Sequence, residues 1–234
     1  MNSNKPLVVE LNGIPGSGKT STVKELFHNL EKRGLKVLIL RDVYFYKEKK
    51  TSSKLLVTLK AIFSFTLLKN NMLTIKFLLL FPFNLSRLLF ALRLIKLNYQ
   101  LLRVYESENC DIILLEEGLL QYTANIPHVD SFDNKTTLNK LLKNMTFPYK
   151  NMLLINCDLN LKESVKRIYN RGLKNRRFDV MEEQELLTGL KKNQEFFGYM
   201  REICKHKDSI SLNMSCELNY NVDIVVNKIS QKLS

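Results

Sequence analysis

Eight residues, Gly13 to Thr20, spell G-x-x-x-x-G-K-T inside the stretch LNGIPGSGKTSTVKELF. Such spacing suits a polyphosphate. Gly13, Gly16 and Gly18 permit backbone geometry that side chains would obstruct, so that successive N–H groups can turn inward as an anion nest. A helix opening at the end of the loop adds partial positive charge. Lys19 then reaches the β- and γ-phosphates, and the Thr20 hydroxyl is placed to ligate Mg²⁺. The candidate nucleotide-contacting stretch is Gly13, Ile14, Pro15, Gly16, Ser17, Gly18, Lys19, Thr20 and Ser21. The pattern gains meaning from its surroundings, because it follows an apolar strand-like run and precedes a helical stripe. The bland alternative is a Gly-rich turn that only packs.

Three further groups could share that chemistry. In IILLEEGLLQ, an acid after four apolar residues stands where a Mg²⁺-organising carboxylate is wanted. Glu116 is assigned that role and Glu117 is turned toward an acceptor. Strand alternation would send one of the two away from the site; a solvated acidic pair is the alternative. In KRIYNRGLKNRRFD, Arg167 and Arg171 are four apart and share a helical face, with Arg176 and Arg177 following in a loop. Beside a phosphate they could neutralise charge developing on a transferred group; otherwise they are a solvated basic helix end. Asp42, beyond the second apolar run, could accept a proton from an attacking hydroxyl, or cap the next segment, or pair with Arg41.

The elements that must hold these residues read as alternating strands and helices. Strands are expected at Leu7–Leu11, Lys36–Leu40, Asp111–Glu116, Met152–Asn156 and Ser209–Asn213. Val23, Leu26, Phe27 and Leu30 stripe a helix that Gly34 should stop. Leu138, Leu141, Leu142 and Met145 stripe another. Asn160 and Glu163 have the spacing of a capping box ahead of Leu161, Val165 and Ile168. Leu186, Leu190, Phe197 and Met200 mark a long helix, and Val222, Val225, Val226, Ile229 and Leu233 a closing one. Alternation of this kind implies an α/β fold with a parallel sheet covered on both faces.

Charge is distributed unevenly. The net formal charge is +13, and residues 49–103 carry ten Lys or Arg and no Asp or Glu. Between about 50 and 106 the chain is rich in Leu, Phe, Ile and Lys with few turn signals, which implies a helical insertion within a single domain of residues 1–234. Three readings of this insertion stand open: a helical lid over an anionic acceptor with its apolar positions as its own core, a membrane-surface patch, or a homodimer interface. Nucleic acid is disfavoured, because the aromatics are mostly Phe at helical spacing. Four scattered cysteines without C-x-x-C, and three histidines without ligand spacing, suit a reducing compartment and no structural metal. The opening MNSNKPLVVELNG lacks the form of a leader peptide, and no run of 18 uncharged apolar residues suggests a span. The expected location is cytoplasmic, or peripheral at the inner membrane surface.

Taken together, GIPGSGKTS, the acid after DIILL, and KRIYNRGLKNRRF with a long helix behind it resemble the P-loop kinases of small molecules, above all the thymidylate-kinase-like and nucleotide-kinase-like group. SISLNMSCELNYNVDIVVNKI is similar to that group's closing strand and helix. The resemblance covers about residues 5 to 45 and 108 to 232. It implies a three-layer P-loop kinase fold with a five-stranded parallel sheet in the order 2-3-1-4-5, a mobile LID near 172–178, and ATP with Mg²⁺ as cofactors. By the same resemblance Gly13 to Thr20 bind the triphosphate, Glu116 organises Mg²⁺, and Arg167 and Arg171, with Arg176 and Arg177, are LID arginines. The expected activity is ATP-dependent transfer of the γ-phosphoryl group to a small-molecule acceptor. That group carries Asp-Arg or Glu-Arg after the third strand, where this chain has Glu116-Glu117-Gly118. The departure points to an acceptor other than a nucleotide; the insertion, more apolar and more basic than that group's monophosphate-binding region, points to a bulky, anionic or lipid-linked one. The competing readings are a membrane-docked P-loop NTPase and a nucleotide-dependent switch. The latter is weakened because INCDLN lacks the lysine of a guanine-binding N-K-x-D.

Overall fold

The computed structural model describes residues 5–40, 58–64, 67–80, 85–107, 110–125, 135–146, 148–171 and 181–233. Asp42, Arg176, Arg177 and the loop 172–178 lie outside the described residues. Strand β1 is Leu7–Asn12 and β2 is Val37–Ile39. Strand β3 is Ile112–Leu115, β4 Met152–Asp158 and β5 Asp208–Asn213. All four pairings are parallel, in the order β2-β3-β1-β4-β5. The expected sheet is therefore present, with ends shifted by one or two residues.

Period-two alternation divides the sheet's side chains between two cores. Leu7, Val9 and Leu11 of β1 face one way, with Ile112 and Leu114 of β3 and Leu153 and Ile155 of β4. They meet Val23, Leu26 and Leu30 of helix α1 (Lys19–Lys32) and Val222, Val225, Val226 and Ile229 of the last helix, Leu218–Leu233. Helix α1 ends on the Arg33 cap, with Gly34 at φ 80° just beyond it, as the sequence predicts. Val8, Ile113, Leu115, Met152 and Leu154 face the opposite core. One sheet with helices on both faces closes the fold, which is the expected three-layer arrangement.

The helices on that second face are α2 (Leu68–Leu78), α3 (Leu85–Ser107), α4 (Leu119–Asn125), α5 (Lys135–Thr146), α6 (Leu161–Asn170) and α7 (Glu183–Ile203). The closing helix Leu218–Leu233 is α8. A short helical stretch at 58–62 precedes α2. The apolar positions of the insertion behave in two ways. Those of α3, such as Ala91, Leu94 and Leu101, are buried in the core that Val8, Ile113 and Leu154 of the sheet share, rather than in a core of the insertion's own. In α2, Phe77 is buried and Leu73 and Leu78 are half-buried against the same core, while Leu68, Met72 and Ile75 are exposed.

Candidate active site

Among the described candidates, the Gly-rich loop follows β1 and the acidic pair follows β3, at the carboxyl edge where open α/β sheets leave a crevice, while Arg167 and Arg171 lie on the helix that follows β4. The loop between β1 and α1 holds Lys19 folded back on itself. Its Nζ donates to the Gly13 carbonyl at 2.7 Å and the Ile14 carbonyl at 3.1 Å, with Ser17 Oγ at 3.5 Å. Desolvation in the concavity of the loop lowers the Lys19 pKa, and the positive charge of Arg171 adds to that. Glu117 and Glu116 oppose the shift. Cys157 would oppose it as a thiolate, but burial pushes that thiol up to about 12, so at neutral pH the carboxylates supply the attraction. Lys19, Glu116, Glu117 and Arg171 therefore lie within one electrostatic neighbourhood.

Helix α6 is clamped onto the loop. The Ser164 hydroxyl donates to the Pro15 carbonyl. Gly16, at φ 84°, is where the two segments touch: a Cβ there would stand 2.9 Å from the Ser164 carbonyl oxygen. Glycine is required at that position both by conformation and by space. The clamp brings the arginines of α6 to the loop but divides their tasks. Arg167 Nε donates to Glu163 at 3.1 Å and its Nη2 to the Met214 carbonyl at 3.0 Å, so it ties α6 to the turn after β5. Arg171, the C-cap residue of α6, acts on Lys19. The predicted capping box is half formed. Asn160 Oδ1 accepts from the Lys162 N–H at 2.9 Å, while Glu163 turns to Arg167 rather than back to the cap.

The acidic pair lies beyond β3, which ends at Leu115, so strand alternation does not separate the two. Glu116 is buried and accepts a short hydrogen bond from the Thr20 hydroxyl. Glu117 is exposed. An oxygen pair of this kind, a hydroxyl and a carboxylate, has the hard-donor chemistry of Mg²⁺. Among the described residues no cluster of three or more His, Cys, Asp or Glu could hold a metal alone. Thr20 and Glu116 thus fit a cation shared with phosphate oxygens.

Glu10 was not among the sequence candidates, yet it organises this end of the sheet. It is fully buried in β1 and accepts from the N–H groups of Leu119 at 3.1 Å, Leu120 at 2.8 Å and Gln121 at 3.4 Å. These are the orphan donors of the first turn of α4. Burial raises the Glu10 carboxyl to about 7, against the lowering effect of those three bonds. Gly118 makes the contact possible, since a Cβ there would fall 2.2 Å from Glu10 Cδ. The Glu-Glu-Gly sequence after β3 thereby acquires a reason: its third residue has to make room for Glu10. A charge inside the run LVVELN was the available signal.

Beside Glu10 the sheet face becomes polar. Asn12 is buried, and neither its Nδ2 nor its Oδ1 has a partner among the described residues. It borders a cavity of about 20 Å³ also lined by Asn156, Met200 and Arg201. That space suits a bound water rather than a substrate. Asp158, at the end of β4, pairs with Arg201 through both carboxylate oxygens, so the Asn156–Asp158 stretch is committed to joining β4 with α7.

No protein-family model matches the chain. Uridine kinases of Bacillus thuringiensis and Bacillus cereus are 44% identical to it over 48 residues, which is 20% of this chain. That match spans 22% of the length of those relatives. The structure of deoxyadenosine kinase from M. mycoides with bound dATP superposes on 96% of the chain and 99% of its own, with a TM-score of 0.51 at 14% identity. The same enzyme with bound dCTP gives 0.52 at equal identity. The chain has the P-loop kinase fold. Its sheet order and its two-sided helical cover are those expected from the sequence resemblance.

Proposed function

We propose that this P-loop kinase-fold protein is a phosphotransferase that uses ATP and passes the γ-phosphoryl group to a small-molecule acceptor. The observation that carries the reading is the meeting of Lys19, Thr20, Glu116, Glu117 and Arg171 around one Gly-rich loop at the carboxyl edge of the sheet. The loop amides and the dipole of α1 would cradle the phosphates. Lys19 would exchange its bonds to the Gly13 and Ile14 carbonyls for bonds to phosphate oxygens, a charge-assisted gain. Thr20 and Glu116 would hold Mg²⁺, which when bound neutralises phosphate charge.

An acceptor oxygen would bond to the terminal phosphorus as the bond to the bridging oxygen breaks and ADP departs. Glu117, exposed beside the loop, would orient the acceptor or take its proton; Asp42 is the second candidate for that task. Arg171 would offset charge at the transferred group, with Arg176 and Arg177 as further candidates. Arg167 is proposed as the residue that positions α6, because Glu163 and the Met214 carbonyl already engage it. The known nucleoside kinases of the same fold make a nucleoside a reasonable first acceptor, while the Glu116-Glu117-Gly118 turn argues for including sugars and lipid-linked sugars.

The test is ADP release with ATP and Mg²⁺ against a panel of nucleosides, nucleotides, sugars and lipid-linked sugars. One acceptor should raise ADP release well above the acceptor-free rate, and Lys19→Ala should abolish the increase. ADP release that no acceptor stimulates would favour a nucleotide-dependent switch.

A further inference from the structure

We infer that α2 is a docking face for an anionic lipid surface. The inference concerns a different part of the molecule from the nucleotide loop and does not rest on the kinase reading.

Helix α2 is amphipathic in the reverse sense. Its buried face is Asn70, Asn71, Thr74 and Phe77. Its exposed stripe is Leu68, Met72, Ile75 and Leu79, with exposures of 45%, 63%, 45% and 77%. The spacings of four, three and four place these residues in one row along the helix. The orientation is fixed by bonds rather than left to chance. Asn71 Nδ2 donates to the Ala61 carbonyl at 2.8 Å and the Ile62 carbonyl at 3.0 Å, closing the last turn of the helical stretch at 58–62. Asn70 Nδ2 reaches the Asn144 carbonyl of α5 at 3.4 Å, and Thr74 Oγ1 donates to the Asn70 carbonyl at 2.9 Å. Rotating the apolar row inward would break these bonds and lift Phe77 out of the core.

A helix locked with Asn70, Asn71 and Thr74 inside beside Phe77, and with the row of Leu68, Met72, Ile75 and Leu79 outside, is suited to an apolar or interfacial medium. Charge selects the occupant. Lys69 and Lys76 are exposed and flank the row about a quarter-turn away. The whole stretch 49–103 has ten basic residues and no acid. A second copy of the chain would bring like charges to a shared face with no carboxylate from this stretch to meet them. Anionic headgroups complement the lysines, which border one side of the row, and the acyl boundary takes the row itself. No helix among the described residues is long and apolar enough to cross a membrane, so the contact proposed is with the surface.

Flotation of the full chain with vesicles tests this. The vesicles are phosphatidylcholine alone, and phosphatidylcholine containing one part in four of phosphatidylserine. The chain should float with the anionic vesicles at low salt, bind the neutral ones at least about tenfold more weakly, and be released by salt. Met72→Gln/Ile75→Gln should weaken binding to anionic vesicles by about tenfold or more. Lys69→Glu/Lys76→Glu, which leaves the apolar row intact, should also weaken it by more than tenfold. Because all four positions are exposed, each double variant should melt within a few degrees of the parent and keep the parent's response to ATP with Mg²⁺. The inference is overturned if the chain fails to float with the anionic vesicles at low salt, or if both variants bind as the parent does. Absence of vesicle binding, with a dimer that Met72→Gln/Ile75→Gln dissolves in sedimentation, would overturn it and assign the row to a second copy.

Discussion

Lys19 and Arg171 carry opposite kinds of prediction at the residue scale. In its folded-back pose the Lys19 ammonium donates to the Gly13 and Ile14 carbonyls and to Ser17 Oγ. Losing a charge-assisted contact to phosphate typically costs about 1.5–3 kcal/mol, so Lys19→Ala should weaken ATP binding by roughly ten- to a hundredfold. Arg171→Ala should lower turnover far more than ATP affinity if its charge acts in the transition state, and equal losses in both would mean ground-state binding alone. Arg167→Ala makes the contrasting case. Its guanidinium joins Glu163 to the Met214 carbonyl, so the substitution should loosen the turn after β5 and lower the melting temperature. Glu116→Gln should raise the Mg²⁺ concentration needed for half-maximal rate; an unchanged requirement would transfer the metal to Glu117. The place of the loop between β1 and α1 was legible because the glycine spacing falls between an apolar run and a helical stripe. The different employment of the two arginines was not legible, because the Met214 carbonyl comes from 47 residues away.

The most informative pair among the elements is β1 and α4. Glu10 of β1 caps α4, and its carboxyl stands at about 7 in the folded protein against 4.5 in a free chain. Between those two values the folded state keeps a proton that the unfolded state has lost. Stability therefore falls as pH rises from about 4.5 to about 7 and is level with respect to this group outside that window. A shift of this size amounts to about 3 kcal/mol. Denaturant midpoints of Glu10→Gln measured from pH 4 to 8 should lack this component; parallel curves for the two proteins would mean that the Glu10 pKa is the same in the folded and unfolded states. Gly118→Ala should destabilise by about 3 kcal/mol through overpacking. Most of that loss should vanish in a Glu10→Ala background, because the two residues compete for one space. Strands could be read from apolar runs, since each buried strand needs such a run whatever it packs against; their order came from the family resemblance and not from the runs. The cap of α4 depends on a carboxylate brought from more than a hundred residues away, which no local pattern encodes.

The whole molecule joins a P-loop kinase core to a basic helical insertion whose helices are polarised differently. Helix α3 buries Ala91, Leu94, Ile95 and Leu101, while α2 buries Phe77 but exposes Leu68, Met72 and Ile75. Composition and the scarcity of turn signals implied helices here but could not say which face of each meets the core. What settles the rotation of α2 is the partner set of Asn70 and Asn71, drawn from the stretch at 58–62 and from α5. Any ligand of the folded state should stabilise the molecule by mass action, so ATP with Mg²⁺ should raise the melting temperature progressively with concentration.

Titration calorimetry with ATP and Mg²⁺, on the parent chain and on Lys19→Ala, tests the central claim most directly. The account predicts saturable binding of one ATP by the parent and a loss of about tenfold or more in the variant. Absence of binding heat in the parent at several temperatures, or equal affinity in the two proteins, would contradict it.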